Sequence, residues 1–254
     1  KEDDTTKVHL SEISSIVLQT NQVYISAYLL SELAKEKISF VVADEKCSPI
    51  GHYLPLYGSH NTSKRIAEQL EWGEPIKKRV WQRVVKDKIA HQGMILNARA
   101  REAEGEVLLG LVPEVRSGDT TNREASAARI YFQALFGPGF SRDDDTPVNA
   151  ALNYGYGFLL SAVSREIVSR GYLTQCGICH RNEYNQFNLS CDLMEPFRPI
   201  VDRLVFDNIG DSFEKEDRYL LVDMLNQSVS YRGGMYRIGS VIGLYVQDCF
   251  AALN

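Results

Sequence analysis

The chain has 254 residues, 44% hydrophobic, 24% charged and 10% aromatic, a globular balance that excludes disordered, collagen-like and low-complexity proteins. Lys and Arg total 28 against 33 Asp and Glu, and the net charge of −5 excludes a wholly basic, histone-like nucleic-acid binder while leaving room for a local basic surface. No apolar run approaches the ~18 residues that cross a bilayer, and the charged residues 1–7 do not read as a signal peptide, so a cytoplasmic protein with no membrane contact is expected.

Residues 13–19 and 38–43 are short, β-branched apolar runs that read as strands. Between them, residues 23–35 carry Val23, Ala27, Leu30 and Ala34 at helical spacing. A strand this close to the first residue raises the expectation of a fragment that lacks an N-terminal segment ahead of Lys1. Turn signals follow, Cys47-Ser48-Pro49-Ile50-Gly51 and then Leu54-Pro55-Leu56-Tyr57-Gly58-Ser59, and they mark a boundary. Beyond it, amphipathic stretches at 63–72 and 76–103 read as helices, the second opened by Pro75. Residues 120–136 are another, closed by Gly137-Pro138-Gly139. Asp145-Thr146-Pro147 caps a helix through Ser169 that ends at Gly171, and helices over 192–207, 214–228 and 238–252 complete the set. The expected architecture is α+β with two domains. Residues 1–58 form a small β-rich, sandwich-like domain with one helix, and residues 59–254 form a larger all-α catalytic domain.

Charge is uneven. Between Lys64 and Arg101 stand ten basic residues against four acidic, a run that reads either as a solvated helical face or as a phosphate-binding surface. The aromatic residues Tyr131, Phe132, Tyr154 and Phe187 sit among aliphatics at helical spacing and read as core, whereas Tyr184 and Phe158 are open to either core or base-stacking roles.

Walker, His-Glu-x-x-His, Gly-x-Ser-x-Gly and Gly-x-Gly-x-x-Gly signatures are absent, and the dense region is 175–199. The five cysteines are too sparse and odd for a disulfide framework. Cys176-Gly177-Ile178-Cys179-His180 fits the haem-attachment pattern, and with Cys191 it offers zinc ligands, so a redox, zinc or haem module on Cys176, Cys179 and His180 is the alternative reading. Asp192 and Glu195 have the spacing of an N-terminal capping pair, and the same spacing puts both on one helix face. Taken with His180 and with Glu124, whose neighbours Ala125, Ala127 and Ala128 are small, they also suit an open divalent-cation site.

The motifs Asn122-Arg123-Glu124-Ala125-Ser126-Ala127-Ala128-Arg129-Ile130-Tyr131-Phe132, Leu152-Asn153-Tyr154-Gly155-Tyr156, His180, Asn185-Gln186-Phe187-Asn188-Leu189 and Asp192-Leu193-Met194-Glu195-Pro196-Phe197-Arg198-Pro199 occur in that order. In combination the chain resembles the Cas1 family, the CRISPR-associated integrase and endonuclease, and within it the type II branch found beside the Cas9 effector. The resemblance implies metal ligands at Glu124, His180 and Glu195, with Asp192 a further ligand, a supporting partner or a cap. It implies Mg²⁺ or Mn²⁺ as cofactor and insertion of foreign DNA as new spacers into the CRISPR repeat array. The implied partners are the foreign DNA fragment, the repeat-leader DNA, a second copy in a homodimer, the small Cas2 protein, and the Cas9 effector with other acquisition proteins. Arg123, Arg129, Arg181 and Arg198 beside the motifs, and Lys77, Lys78, Arg79 and Arg83 on the basic run, are candidate DNA contacts. Ala125-Ser126 replaces the Gly-His of many type II relatives, and the Cys176/Cys179 pair is no part of the family pattern.

Overall fold

The computed structural model describes residues 6–13, 15–18, 22–43, 49–56 and 58–254. Ser14 and Gln19 of the expected first strand, the Cys47-Ser48 turn signal and Tyr57 lie outside the described residues.

In the N-terminal region β1 (Ser15–Leu18) runs parallel to β2 (Ser39–Ala43), and β3 (Pro49–Tyr53) pairs antiparallel with the other edge of β2. A parallel pair requires a crossover, which α1 (Ala27–Lys35) supplies. Its N-cap is Ser26, whose Oγ accepts from Leu29 N at 3.1 Å. The strands alternate between two cores. Ile16, Leu18 and Phe40 join Leu33 and Ile38 in a small cluster under α1, whereas Val17 and Val41 pack into the helical core. Among the described residues this region is therefore one sheet layered between a helix and the helical body. Pro49, Ile50 and Gly51, expected as a turn, lie in β3, an edge strand opened by proline, where the missing N–H breaks no ladder.

The helical region begins with α2 (Thr62–Leu70) and α3 (Glu74–Asn97). The helix expected over 76–103 breaks because Ala100 adopts φ +56° and both Arg99 N and Arg101 N donate to Leu96 O, at 2.9 and 3.0 Å. The chain reverses there into α4 (Glu102–Leu111), which packs back on α3 where Gly93 meets Gly105. The positive-φ position is held by Ala100 and not by a glycine or asparagine, and α4 falls where the sequence suggested no new element. After α5 (Arg123–Phe136) comes α6 (Pro147–Ser169), capped by Thr146 Oγ1 accepting from Asn149 N at 3.2 Å.

The expected helix over 192–207 divides into α7 (Asn188–Met194), a 3₁₀ turn at Glu195–Phe197 and α8 (Arg198–Asn208), with Pro196 and Pro199 at the junction. The one expected over 214–228 ends as α9 (Lys215–Asp223), and a hairpin of β4 (Ser228–Tyr231) and β5 (Gly234–Arg237) precedes α10 (Ile238–Leu253). Arg232 and Gly233 at the tip both have positive φ, the two-residue turn that suits strand twist.

The core is organised by α3 and α6. Val84, Val85, Ile89 and Leu96 of α3, and Leu152, Leu159, Val163 and Ile167 of α6, are completely buried. Tyr131, Tyr154 and Phe158 are buried with them, Phe132 and Phe187 are half-buried, and Tyr184 is exposed, so only Tyr184 presents a free ring face. Gly155 lets α8 approach α6, because a Cβ there would lie 2.5 Å from Val201 Cγ1. Gly155→Ala is expected to lower stability by about 1–3 kcal/mol in urea denaturation through overpacking, with partial recovery when Val201→Ala is added. Equal stability of Gly155→Ala and the parent would contradict this packing.

Candidate active site

Glu124 stands in the first turn of α5. Asp119 fixes that turn: its carboxylate accepts from Arg123 N at 2.9 Å and from Glu124 N at 3.0 Å, neutralising two of the helix's free donors. Asp119 and Asn122 adopt positive φ to do this, a conformation both residue types tolerate. The sequence reading missed Asp119, one residue ahead of the expected helix start. Ala127, read as leaving room near Glu124, is buried in the core, while Ala125 and Ser126 are exposed beside it.

Glu195 lies in the 3₁₀ turn, which is tied to α3 by His91 Nδ1–H donating to Pro196 O at 2.7 Å. One oxygen, Oε1, accepts from Arg198 Nε at 2.7 Å, and the Arg198 guanidinium also stacks on the Tyr156 ring at 4.6 Å. The two glutamates converge on one nitrogen: Lys88 Nζ of α3 lies 2.7 Å from Glu124 Oε1 and 2.6 Å from Glu195 Oε2. Lys88 and Glu195 side chains are only 11% and 6% exposed, which makes this a cluster of desolvated charges. The contact to Glu195 Oε2 is a close ion pair, and that buried oxygen has no other partner. Burial alone would push the Lys88 ammonium down, but Glu195 and Glu124 outweigh it and hold it above its ordinary value. Burial would likewise raise Glu195, yet Arg198 and Lys88 keep its carboxyl below the usual range.

Asp192 is not a helix cap. It lies inside α7, fully buried, and its carboxylate gathers the loop ahead of it: Ile178 N, Cys179 N and His180 N donate to it at 2.6, 3.1 and 3.0 Å. Such a nest of successive N–H groups is a strong seat for a buried anion. Gly177 is required by the wrap, since a Cβ would sit 2.4 Å from His180 O and 2.8 Å from Asp192 Oδ2. The same carboxylate accepts from His180 Nδ1–H at 2.7 Å, which leaves Nε2 as the lone-pair nitrogen. This hydrogen bond to Asp192 raises the His180 imidazole above its ordinary value.

The Cys-x-x-Cys-His pattern is thus explained by the fold of the nest. Cys176, Cys179 and Cys191 are free, and the exposed Cys179 thiol is pushed up to about 11 by desolvation and by Asp192, the opposite of what redox or ligand chemistry requires. Among the described residues no three His, Cys, Asp or Glu side chains are arranged to hold an ion as they stand. For Glu124, His180 and Glu195 the physical reason is visible: an ammonium already occupies the point on which the carboxylates converge. The donor set itself, two carboxylates and an imidazole held in one tautomer by a buried aspartate, fits Mg²⁺ or Mn²⁺. Glu195 Oε2, whose one close partner is the Lys88 ammonium, would serve as a ligand oxygen once that ammonium is displaced.

Most of the basic run is paired internally. Lys64 and Arg65 face Glu68, Lys77 faces Glu74, Arg83 lies 3.7 Å from both Asp87 and Asp248, and Arg99 pairs with Asp207. Arg123 pairs with Glu114, and Arg181 grips both oxygens of Glu74 at 2.7 Å. Arg198, a candidate DNA contact, is committed to Glu195 and Tyr156 instead. The exposed Lys78, Arg79 and Arg129 form no ion pair among the described residues.

A family model described as CRISPR associated protein Cas1 matches residues 1–221. A CRISPR-associated endonuclease Cas1 from Neisseria meningitidis is 43% identical over 198 residues, covering 78% of this chain and 65% of the relative, so the chain spans about two thirds of that relative's length. Among solved structures, a casposase bound to an integration product superposes with a TM-score of 0.75 at 20% identity, covering 94% of this chain and 77% of the casposase. A chain of a Cas6-RT-Cas1–Cas2 complex superposes with a TM-score of 0.72 at 22% identity, covering 99% of this chain and 32% of that one. At these identities the structural likenesses establish the fold. No helix among the described residues is long and apolar enough to cross a membrane.

The Asp192–His180 pair gives a pH test. Because the folded-state imidazole is raised, its protonated form contributes stability that is complete below the ordinary value near 6.5 and is lost as pH rises through the folded value. Asp192→Asn is expected to move the His180 midpoint downward in an NMR titration and to flatten that pH dependence. An unmoved midpoint would mean that Asp192 does not hold the imidazole.

Proposed function

The chain belongs to the CRISPR-associated protein Cas1 family, and from that premise we propose that it is a metal-dependent DNA endonuclease and integrase of CRISPR adaptation. The observation that carries the reading is the convergence of Glu124 and Glu195 on one cationic point beside His180. The casposase of similar fold is bound to an integration product, which supports strand transfer as the reaction class. The similar chain of a Cas6-RT-Cas1–Cas2 complex supports Cas2 as partner; the proposal further includes a homodimer, fragment and repeat DNA, and the Cas9 effector with other acquisition proteins.

In this reading the 3′-hydroxyl of a captured fragment attacks a phosphate at the edge of a CRISPR repeat. A new P–O bond forms, the bond from that phosphorus to the repeat strand's own 3′-oxygen breaks, and the proton lost by the attacking hydroxyl is matched by one gained on the departing oxygen. Glu124, Glu195 and the Nε2 of His180 would hold Mg²⁺ or Mn²⁺, which supplies Lewis-acid charge at the phosphate and favours ionisation of the attacking hydroxyl. Asp192 keeps the imidazole turned so that Nε2 faces outward, and Arg198 keeps Glu195 ionised and immobile. Water in place of the 3′-hydroxyl gives nuclease chemistry at the same atoms. The steady positions of these groups matter more than their reactivity, because phosphoryl transfer rests on alignment and charge stabilisation.

Glu124→Gln, His180→Ala and Glu195→Gln should each lower strand transfer by about 100-fold or more, with fragment binding retained. Parent-level integration by all three would remove the site assignment. Lys78→Glu combined with Arg79→Glu should reduce the slope of log affinity against log salt by about 2, and an unchanged slope would take these residues out of the DNA surface.

A further inference from the structure

The ammonium of Lys88 stands between the carboxylates that the proposed function assigns to a divalent cation, and its own surroundings offer it a second place to go. Lys88 and Gln92 are one turn apart on α3 and share a helix face. Both line a cavity of about 170 Å³ with Tyr156, Glu195, Arg198 and Asp202. Gln92 is 1% exposed and its Oε1 is buried there with no hydrogen-bond partner. Leaving a buried carbonyl unsatisfied is costly, so a structure that keeps one has an acceptor in want of a donor. Asp202, buried in the cavity lining, accepts from Tyr156 OH; burial pushes its carboxyl up to about 7, and an ammonium arriving beside it would favour the anion.

We propose that Lys88 is a resident counter-cation of the metal site, displaced when a divalent ion binds and received by Gln92 Oε1 and Asp202 in the adjoining cavity. This rests on the metal reading of Glu124 and Glu195 given above and adds a step to it. With Lys88 seated, two cations (Lys88 and Arg198) balance two carboxylates. An entering divalent ion would bring a third positive group into the same desolvated space, and mutual repulsion expels the one that has a neighbouring acceptor. Arg198 is held by Glu195 Oε1 and by the Tyr156 ring, whereas both contacts of Lys88, Glu124 Oε1 at 2.7 Å and Glu195 Oε2 at 2.6 Å, are to the oxygens an entering ion would take, so Lys88 is the one that yields. The lysine then acts twice: it keeps the carboxylates together in the metal-free protein, and it competes with the ion for them.

The test is Mn²⁺ binding to the full chain by calorimetry without DNA, in the parent, Lys88→Met, Gln92→Leu and the double variant. Lys88→Met should bind Mn²⁺ about tenfold more tightly, since the binding-competent state no longer has to be freed of the ammonium, and should melt at a lower temperature in EDTA. Gln92→Leu should bind more weakly than the parent but make no difference in the Lys88→Met background, a coupling that follows only if the two residues are linked through the displaced lysine. Unchanged or weaker Mn²⁺ binding by Lys88→Met would overturn displacement while leaving the metal reading standing. No Mn²⁺ binding by the parent would overturn both. Should Lys88→Met fail to fold, ¹³C-lysine NMR of the parent decides: the Lys88 signal must shift as Mg²⁺ binds, and a signal that stays put at saturation refutes the proposal.

Discussion

Glu124 and Glu195 come from elements far apart in the chain and meet at one nitrogen in a region largely closed to water. Two desolvated carboxylates repel each other and each resists losing its hydration, so neither persists as an anion there without a compensating charge within contact distance. Lys88 and Arg198 provide it, and the cluster is electrically balanced. That balance fixes the spacing of α3, α5 and the 195–197 turn as firmly as the apolar packing of Val84, Val85 and Ile89 does. Removing one member strands the others, which is why such a cluster is costly to break even though it adds little net stability compared with apolar side chains of the same volume.

The groups around the pair are held by a second set of carboxylates that never face solvent. Asp119 anchors the start of α5 through two backbone N–H groups, and Asp192 anchors residues 178–180 through three more together with the imidazole of His180. Each converts a loop, normally the loosest part of a fold, into a rigid mount for the side chain it carries. The loop from Leu173 to Asn188 is pinned further by Gln69, which donates to Leu173 O and Cys176 O, and by Asn188, which donates to Gln175 O and Asn182 O. The placement of His180 therefore depends on buried polar contacts from α2 and α7, not on the surface around it.

Helical periodicity made α5, α6 and α10 legible nearly to their ends, and the ordered motifs singled out Glu124 and Glu195, which the fold brings to one nitrogen. What escaped was set by partners remote in sequence. The reversal at Ala100 has no glycine to announce it and is stabilised by α4 closing on α3 at Gly93 and Gly105. The β4–β5 hairpin falls almost wholly in the stretch 229–237 that the expected helices over 214–228 and 238–252 leave unassigned, because strands of four residues are too short for an alternating pattern to stand out. Asp192 looked like a cap because local spacing says nothing of a loop that folds back onto it from twelve to fourteen residues away. Lys88 was counted with the basic surface, since nothing in its neighbours distinguishes a lysine that points inward from one that points out. The one clue was that α3 buries Val84, Val85 and Ile89 on either side of it.

The internal pairing of the basic run changes what the net charge of −5 means for a nucleic-acid enzyme. A run that looked like +6 leaves few uncommitted cations once Glu68, Glu74, Asp87, Asp207 and Asp248 have taken their partners. At the site itself Lys88 and Arg198 only cancel Glu124 and Glu195, so a phosphate approaching the metal-free pair meets no surplus positive charge. In the proposed reaction, attraction to the phosphate would depend on charge brought in with a bound cation, whereas Lys78, Arg79 and Arg129 would act at a distance, on the backbone of the DNA as a whole. Such a division would separate binding from chemistry: DNA would associate through a sparse, salt-sensitive surface, and the reactive phosphodiester would be selected only where the two glutamates hold an ion.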